Sequence, residues 1–159
     1  MRLRARPPSK QTSLLPPLMT LKAASLFVLL TAMLTFLLSG CSATGVLNAV
    51  TPSTHYALTA HVPYGDQPRQ KLDIYTPTAK PPAGGWPVVV FLYGGSWNSG
   101  ERSQYEFVGE ALSARGVLTL VADYRLYPEV RYPDFLHDSA QAVAYGLDQA
   151  ARLGGNPKK

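Results

Sequence analysis

WPVVVFLYGGSWNSGE, residues 86–101, decides how this chain folds. Trp86 to Leu92 is a continuous β-branched and aromatic run without alternation, the pattern of a strand buried on both faces of a sheet. Two adjacent glycines, Gly94 and Gly95, end that run, and turn formers follow. Ser103, with Glu106 three residues later, has the spacing of a capping box. A helix is therefore predicted from about Gln104 to Arg115, with Phe107, Val108, Ala111 and Leu112 inward and Gly116 as terminator. Val117 to Ala122, VLTLVA, reads as a second buried strand. Strand, helix and strand within about 37 residues make a βαβ unit and predict a parallel sheet. As the last long strand, Val117–Ala122 is expected to stand at an open edge.

Working outward, residues 56, 58, 60, 62 and 64 are Tyr, Leu, Ala, Val and Tyr, the alternation of a half-buried strand. Gly65-Asp66 offers a turn, and Lys71-Leu72-Asp73-Ile74-Tyr75 alternates again, so the two pair as an antiparallel hairpin. The Pro- and Gly-rich stretch from Thr76 to Trp86 is a loop. Downstream, a loop carries Tyr124, Arg125, Tyr127, Pro128, Arg131 and Pro133. A helix is predicted from about Asp134 to Leu153, with Phe135, Leu136, Ala140, Val143, Leu147 and Ala150 inward and Gly154-Gly155 closing it. There are no internal repeats.

The 159 residues allow one ordinary domain, and 46% hydrophobic against 16% charged residues suits a packed core. The formal charge of +5 is misplaced. Arg2, Arg4, Arg6, Lys10 and Lys22 precede residue 40 and no acid does, which leaves ten bases against ten acids in the rest. A balanced folded part argues against a nucleic-acid partner, which needs a clustered basic face. Residues 23–38, AASLFVLLTAMLTFLL, form a 16-residue apolar run behind Lys22. That is short of the roughly 20 residues of a spanning helix and fits an export signal. Leu38-Ser39-Gly40-Cys41 resembles the lipobox of bacterial lipoproteins, which implies a signal peptide over 1–40, a lipidated Cys41 and a tether over 41–54. The alternative is an uncleaved membrane anchor with an incidental cysteine. Translation starts at Met1 or at Met19. Ser42 after the cysteine implies, by the sorting rule of such lipoproteins, an outer-membrane location facing the periplasm. Cys41 is the only cysteine, so no internal disulfide forms.

The glycine pair falls at the carboxyl end of a parallel strand, where open α/β sheets bind ligands. Bare backbone there lets N–H groups point at an oxyanion. The plainer reading is a chain reversal into a helix. The surroundings favour the first. From about Tyr64 to Pro157 the chain resembles the α/β-hydrolase esterases and lipases, especially the carboxylesterase and acetyl- or feruloyl-esterase-like branch with an H-G-G-x-W turn. Tyr64-Gly65 with Gln70-Lys71-Leu72-Asp73-Ile74-Tyr75 resembles its entry hairpin. Phe91-Leu92-Tyr93-Gly94-Gly95-Ser96-Trp97 resembles its oxyanion turn, and Asp123-Tyr124-Arg125-Leu126 with Pro128-Glu129 its D-Y-R-L-x-P-E segment. Asp138, Gly154-Gly155 and Pro157 fall where that family has an aspartate, a glycine cap and the approach to strand five. The resemblance implies an α/β class and a partial α/β-hydrolase fold, with an N-terminal hairpin and parallel βαβ units over 55–159. It implies Gly94, Gly95 and Ser96 as the oxyanion hole, and Tyr93 and Trp97 as its support.

Two departures qualify it. Tyr93 stands where the family usually has histidine; it either supports the turn by hydrogen bonding or simply packs. The second departure concerns the attacking group. Ester hydrolysis on this fold needs a serine in G-x-S-x-G, then an acid, then a histidine. Gly94-Gly95-Ser96-Trp97-Asn98 and Gly40-Cys41-Ser42-Ala43-Thr44 both fail the pattern, and no other serine has glycine two residues before it. His55 and His61 precede the oxyanion strand, and His137 reads as a surface residue, so no catalytic triad residue is assigned. The chain is thus expected to be the N-terminal half of an exported carboxylic-ester hydrolase, cut before the nucleophile strand and inactive alone. The alternative is a non-catalytic lipoprotein binding module or a gene remnant. The expected partners are an acyl-ester small molecule or acylated sugar, and a membrane through Cys41. Scattered histidines and one cysteine make no metal site, and no glycine-rich phosphate loop occurs, so no cofactor is expected. Trp97, Tyr105, Tyr124, Tyr127 and Tyr132 either line an acyl pocket or pack their loops.

Overall fold

The computed structural model describes residues 25–29, 31 and 43–159. The chain divides into two compact units, Met1–Cys41 and Ser42–Lys159. In the first, the described residues are helical and exposed, and Thr31 Oγ1 donates to the carbonyls of Phe27 (2.9 Å) and Val28 (3.0 Å). The expected lipidation at Cys41, the start at Met1 or Met19 and most of the apolar run lie outside the described residues. Among the described residues, no helix is long and apolar enough to cross a membrane.

The second unit opens with α1 (Ala43–Val50), inside the stretch expected to be a tether. β1 (Tyr56–Pro63) and β2 (Lys71–Pro77) form the expected antiparallel hairpin. Its register slips between Thr59 and Val62, where His61 takes φ 60°. That bulge breaks the alternation read from β1. Tyr56 is buried, Val62 and Tyr64 are half-buried, but Leu58 is 47% exposed and Ala60 is exposed. The bulged His61 amide donates to Asp73 Oδ1 (2.7 Å), so the irregularity is held in place from β2.

β3 (Trp86–Leu92) and β4 (Leu118–Ala122) run parallel, from Val88 opposite Leu118 to Leu92 opposite Ala122. Between them lie a 3-10 turn (Arg102–Tyr105) and α2 (Glu106–Ser113). α3 (Asp134–Gln149) and the two-residue β5 (Gly155–Asn156) follow. The strand order is β1-β2-β4-β3-β5, a mixed sheet. This order corrects two expectations. β4 is not at an edge: it pairs antiparallel with β2 and parallel with β3, and every residue of it is buried. β3 is the strand with the thinner cover. β5 reaches only Trp86 and Pro87, and Pro87 to Leu92 are half-buried rather than buried on both faces.

The two faces of β4 seed two cores. Leu118, Leu120 and Ala122 pack with Leu72, Ile74, Trp86 and Ala142, on the side of α3. Val121 packs with Tyr56 and Tyr75, on the side of α2. The helices also depart from the predicted pattern. The first turn before α2 is 3-10, and neither the Ser103 nor the Glu106 side chain caps it. Glu106 instead accepts the Tyr56 hydroxyl. The buried residues of α2 are Gly109, Glu110 and Ser113, while Phe107, Val108 and Leu112 are half-buried and Ala111 is exposed. α3 buries Phe135, Asp138, Ser139, Ala142 and Gly146, with Ala150 buried just past its end. Leu136, Ala140, Val143 and Leu147, expected inward, are exposed.

Candidate oxyanion site

The turn at the carboxyl end of β3 is built on Tyr93. Its side chain is buried, its ring stacks on Tyr105 (5.2 Å between centroids) and Tyr124 (5.0 Å), and its carbonyl accepts the Tyr124 hydroxyl at 2.6 Å. The Tyr93 hydroxyl donates to Asp123 Oδ1 at 2.5 Å and accepts from Arg69 Nη2 at 2.9 Å. Burial, and then the hydrogen bond to Asp123, hold its pKa well above the usual tyrosine range. It therefore stays protonated and keeps donating. The Tyr93 side chain thus both packs and hydrogen-bonds.

Asp123, at the end of β4, collects the far side of the turn. Its carboxylate also accepts the Arg102 amide (2.8 Å) and the Arg102 guanidinium, and Arg69 lies 3.7 Å away. Arg102 reaches Asp73 Oδ1 through Nε (2.9 Å) and the His61 ring through Nη2. Burial works against the Arg102 charge, but the hydrogen bond to Asp73 and the charges of Asp73 and Asp123 outweigh it and raise its pKa. Arg69 adds bonds to the carbonyls of Gly100 and Tyr124, each 2.9 Å. Residues 93 and 102, which bracket the turn, are thus fixed to one carboxylate. Sequence reasoning missed Arg69, Arg102 and the role of Asp73. Charged residues beside apolar strands were the available signal, since a buried charge requires partners.

Inside the bracket the backbone is unusual. Gly95 has φ 143°, and Ser96 and Trp97 have φ 51° and 62°. Left-handed backbone costs a non-glycine residue roughly 1–2 kcal/mol, and two such residues in a row persist only where neighbours hold them. Here Trp97 is held. Its carbonyl accepts the Tyr127 amide at 2.8 Å, and its ring stacks on Phe135 (4.6 Å, 11°) and meets the edge of Tyr124 (5.1 Å). The Asn98 amide closes the turn onto the Gly95 carbonyl at 3.0 Å. Gly95 is required by contact as well: a Cβ there would sit 2.3 Å from the Ser99 carbonyl oxygen. Gly94 differs. Its φ is not in the left-handed range, it is exposed, and a Cβ would meet nothing within 4 Å. Among the described residues, no acceptor is paired with the amides of Gly94, Gly95 or Ser96. The space that a Gly94 side chain would take is open.

The histidines do not assemble a base. His55 bonds Glu110 Oε1 (2.5 Å) and Thr54 Oγ1 (3.1 Å), His61 takes the Arg102 contact, and His137 is exposed on α3. None bonds a serine among the described residues. Tyr127 and Tyr132 are 50% and 75% exposed, whereas Tyr124 is buried packing. Asp138, fully buried, accepts Arg125 Nε (2.8 Å), Nη2 (2.7 Å) and its amide (2.9 Å), plus Gln70 Nε2 (2.8 Å). It ties the loop after β4, and the loop before β2, to α3. Among the described residues, no group of metal-ligating side chains gathers.

The mixed sheet, the clamped glycine turn after β3 and the buried aspartate on α3 define an esterase-type α/β-hydrolase. The chain belongs to the BD-FAE family, whose sequence model matches residues 72–159. It is 38% identical over 98 residues to a probable isoprenylcysteine alpha-carbonyl methylesterase, ICMEL1, of Oryza sativa subsp. japonica, covering 62% of this chain and 23% of that protein. It is 36% identical over 104 residues to the esterase LipC of Mycobacterium tuberculosis, covering 64% and 25%. Esterase B from Lactobacillus rhamnosis shares the fold, with a TM-score of 0.62 at 20% identity over 83% of this chain and 42% of that one. The chain thus spans about a quarter of the length of the curated relatives it matches.

Proposed function

We propose that this chain supplies the oxyanion-binding part of an exported carboxylic-ester hydrolase, and that the 159 residues do not turn over esters by themselves. The observation that carries the reading is the contrast within the turn. Gly95 is glycine because the backbone and Ser99 require it, but Gly94 is glycine with neither demand on it, and it keeps open the approach to unpaired amides. An acyl carbonyl placed there would, on attack, develop its negative charge on the carbonyl oxygen, which the Gly94, Gly95 and Ser96 N–H groups would stabilise by hydrogen bonding. Each such donor is worth about 10²–10³ in rate. The clamp of Tyr93 and Arg102 on Asp123 keeps those donors preorganised. Among the described residues, no histidine bonds a serine, so the attacking serine, acid and base that the chemistry needs are not found together there. Substrates are acyl esters, acylated sugars among them. The apolar run and the lipobox-like Leu38-Ser39-Gly40-Cys41 support export and anchoring through lipidated Cys41 at the outer membrane.

The test uses the full chain with p-nitrophenyl acetate and a fluorophosphonate probe. Turnover at background and no covalent labelling are expected. Turnover that disappears when one of the chain's own serines is replaced by alanine would overturn the reading.

A further inference from the structure

α1 is mounted against the usual sense of an amphipathic helix. Its polar side is pinned to the protein: Asn48 Nδ2 donates to the Ser103 carbonyl (2.6 Å), and Asn48 Oδ1 accepts the Phe107 amide (3.2 Å). Thr44 and Asn48, one turn apart, are its half-buried residues, and none is fully buried. Val46, Leu47 and Val50 are 50%, 46% and 73% exposed. At a helical period, Ala43, Val46, Leu47 and Val50 share an arc of roughly 100°, with Asn48 on the other side. An amphipathic surface helix normally turns that arc toward the core. Here two polar side chains take the inward side and the apolar arc faces out.

Two further observations say what covers it. From Ser42 to Thr54 the sequence has no charged residue, so nothing on the segment opposes entry into an apolar interface. The helix also begins two residues after Cys41, which closes the lipobox-like motif. We propose that α1 is a membrane-contact helix that lies in the lipid interface with Val46, Leu47 and Val50 toward the acyl chains. Asn48 then fixes how the hydrolase unit stands above that surface. The inference rests on the lipid-anchor reading above for what brings the helix to the bilayer. So short a helix binds lipid weakly alone, and an adjacent anchor supplies the effective concentration that makes the contact persist.

In the lipidated full chain the Cys41 sulfur is consumed, so Val50→Cys provides the only free thiol for an environment-sensitive fluorophore. The labelled chain is reconstituted in phosphatidylethanolamine–phosphatidylglycerol vesicles whose acyl chains carry a spin-label quencher. A blue-shifted emission that the quencher reaches is expected, with both signals lost when Val46→Ser and Leu47→Ser are added. A water-like spectrum in the vesicles overturns the proposal. So does a blue shift that the lipid quencher does not reach and that grows with protein concentration, which would mean a second copy covers the face. The anchor reading is checked separately: an unsubstituted chain that takes up the thiol reagent at Cys41 is not lipidated. In that event the anchor reading fails, and the proposal that rests on it fails with it.

Discussion

Gly94 and Gly95 adjoin in sequence, yet substitution separates them. Gly95→Ala places a Cβ against the Ser99 carbonyl at a φ that L residues avoid, so the turn must rearrange, at a cost of about 2 kcal/mol or more. Gly94→Ala meets open space and leaves the thermal midpoint unchanged, while obstructing a ligand at the free amides. A large loss of stability in Gly94→Ala would remove the argument for an approach path. Ser96 is the converse case. It holds φ 51° without glycine's freedom, so Ser96→Gly is expected to stabilise by up to about 1 kcal/mol in denaturant titration. Tyr93→Phe removes the hydroxyl between Arg69 and Asp123 and with it one of the two hydrogen bonds to Asp123 Oδ1, a cost of about 1–3 kcal/mol. Tyr93→His retains a donor, and its unfolding midpoint should fall between those of wild type and Tyr93→Phe.

Both helices approach the sheet through glycine, which is what misled their reading from sequence. A Cβ at Gly109 would lie 2.3 Å from the Tyr75 ring, and one at Gly146 2.7 Å from Val90. Close approach wants small residues, so Gly146, Ala142 and Ser139 face the strands while Leu136, Val143 and Leu147 turn out. A periodicity count weighted by apolarity therefore places Phe135 and Ala150 correctly but puts Leu136, Ala140, Val143 and Leu147 on the wrong side of α3. The sheet was partly legible in the same sense. The hairpin, the two apolar strands and their parallel pairing follow from local pattern. The insertion of β4 between β2 and β3 does not, because VLTLVA and WPVVVFL look alike and strand order is set by distant pairing. The glycine turn was legible from Gly94 to Trp97, but the Arg102–Asp123–Tyr93 clamp needed contacts between residues far apart in sequence. α3 carries one titration that can be checked. Burial alone would raise the Asp138 pKa, but hydrogen bonds from Arg125 and Gln70 outweigh it and set it below the usual carboxylate value. The folded state thus favours the ionised form. Its stabilisation is complete above the unfolded value of about 4 and is lost as pH falls through the lower folded value. Asp138→Asn should destabilise at neutral pH, and its gap from wild type in thermal midpoint should shrink as pH drops from about 4 downward. A gap that stays constant down the acid limb would mean that the carboxylate charge contributes nothing.

At the scale of the whole molecule, two apolar surfaces of the 159-residue chain are without cover among the described residues. One is the outer edge of β3, where β5 pairs only Trp86 and Pro87 and the last contact is the Val88 amide donating to the Lys159 carbonyl (3.3 Å). The other is the stripe of Leu136, Val143 and Leu147 on α3, 40%, 37% and 48% exposed. An unpaired strand edge is a template for pairing with another chain, and a contiguous apolar stripe adds hydrophobic drive to that contact. The two need not act equally, and substitution tells them apart. Leu136→Gln, Val143→Lys and Leu147→Glu together change only exposed positions, so they should leave the unfolding midpoint within about 0.5 kcal/mol of wild type. If the stripe drives association, these changes shift the chain toward monomer in size-exclusion chromatography. If the β3 edge drives it, association persists in the triple variant. A wild-type chain that stays monomeric across tens of micromolar, with a cooperative unfolding transition, would show that neither surface needs a partner and that the sheet is self-sufficient.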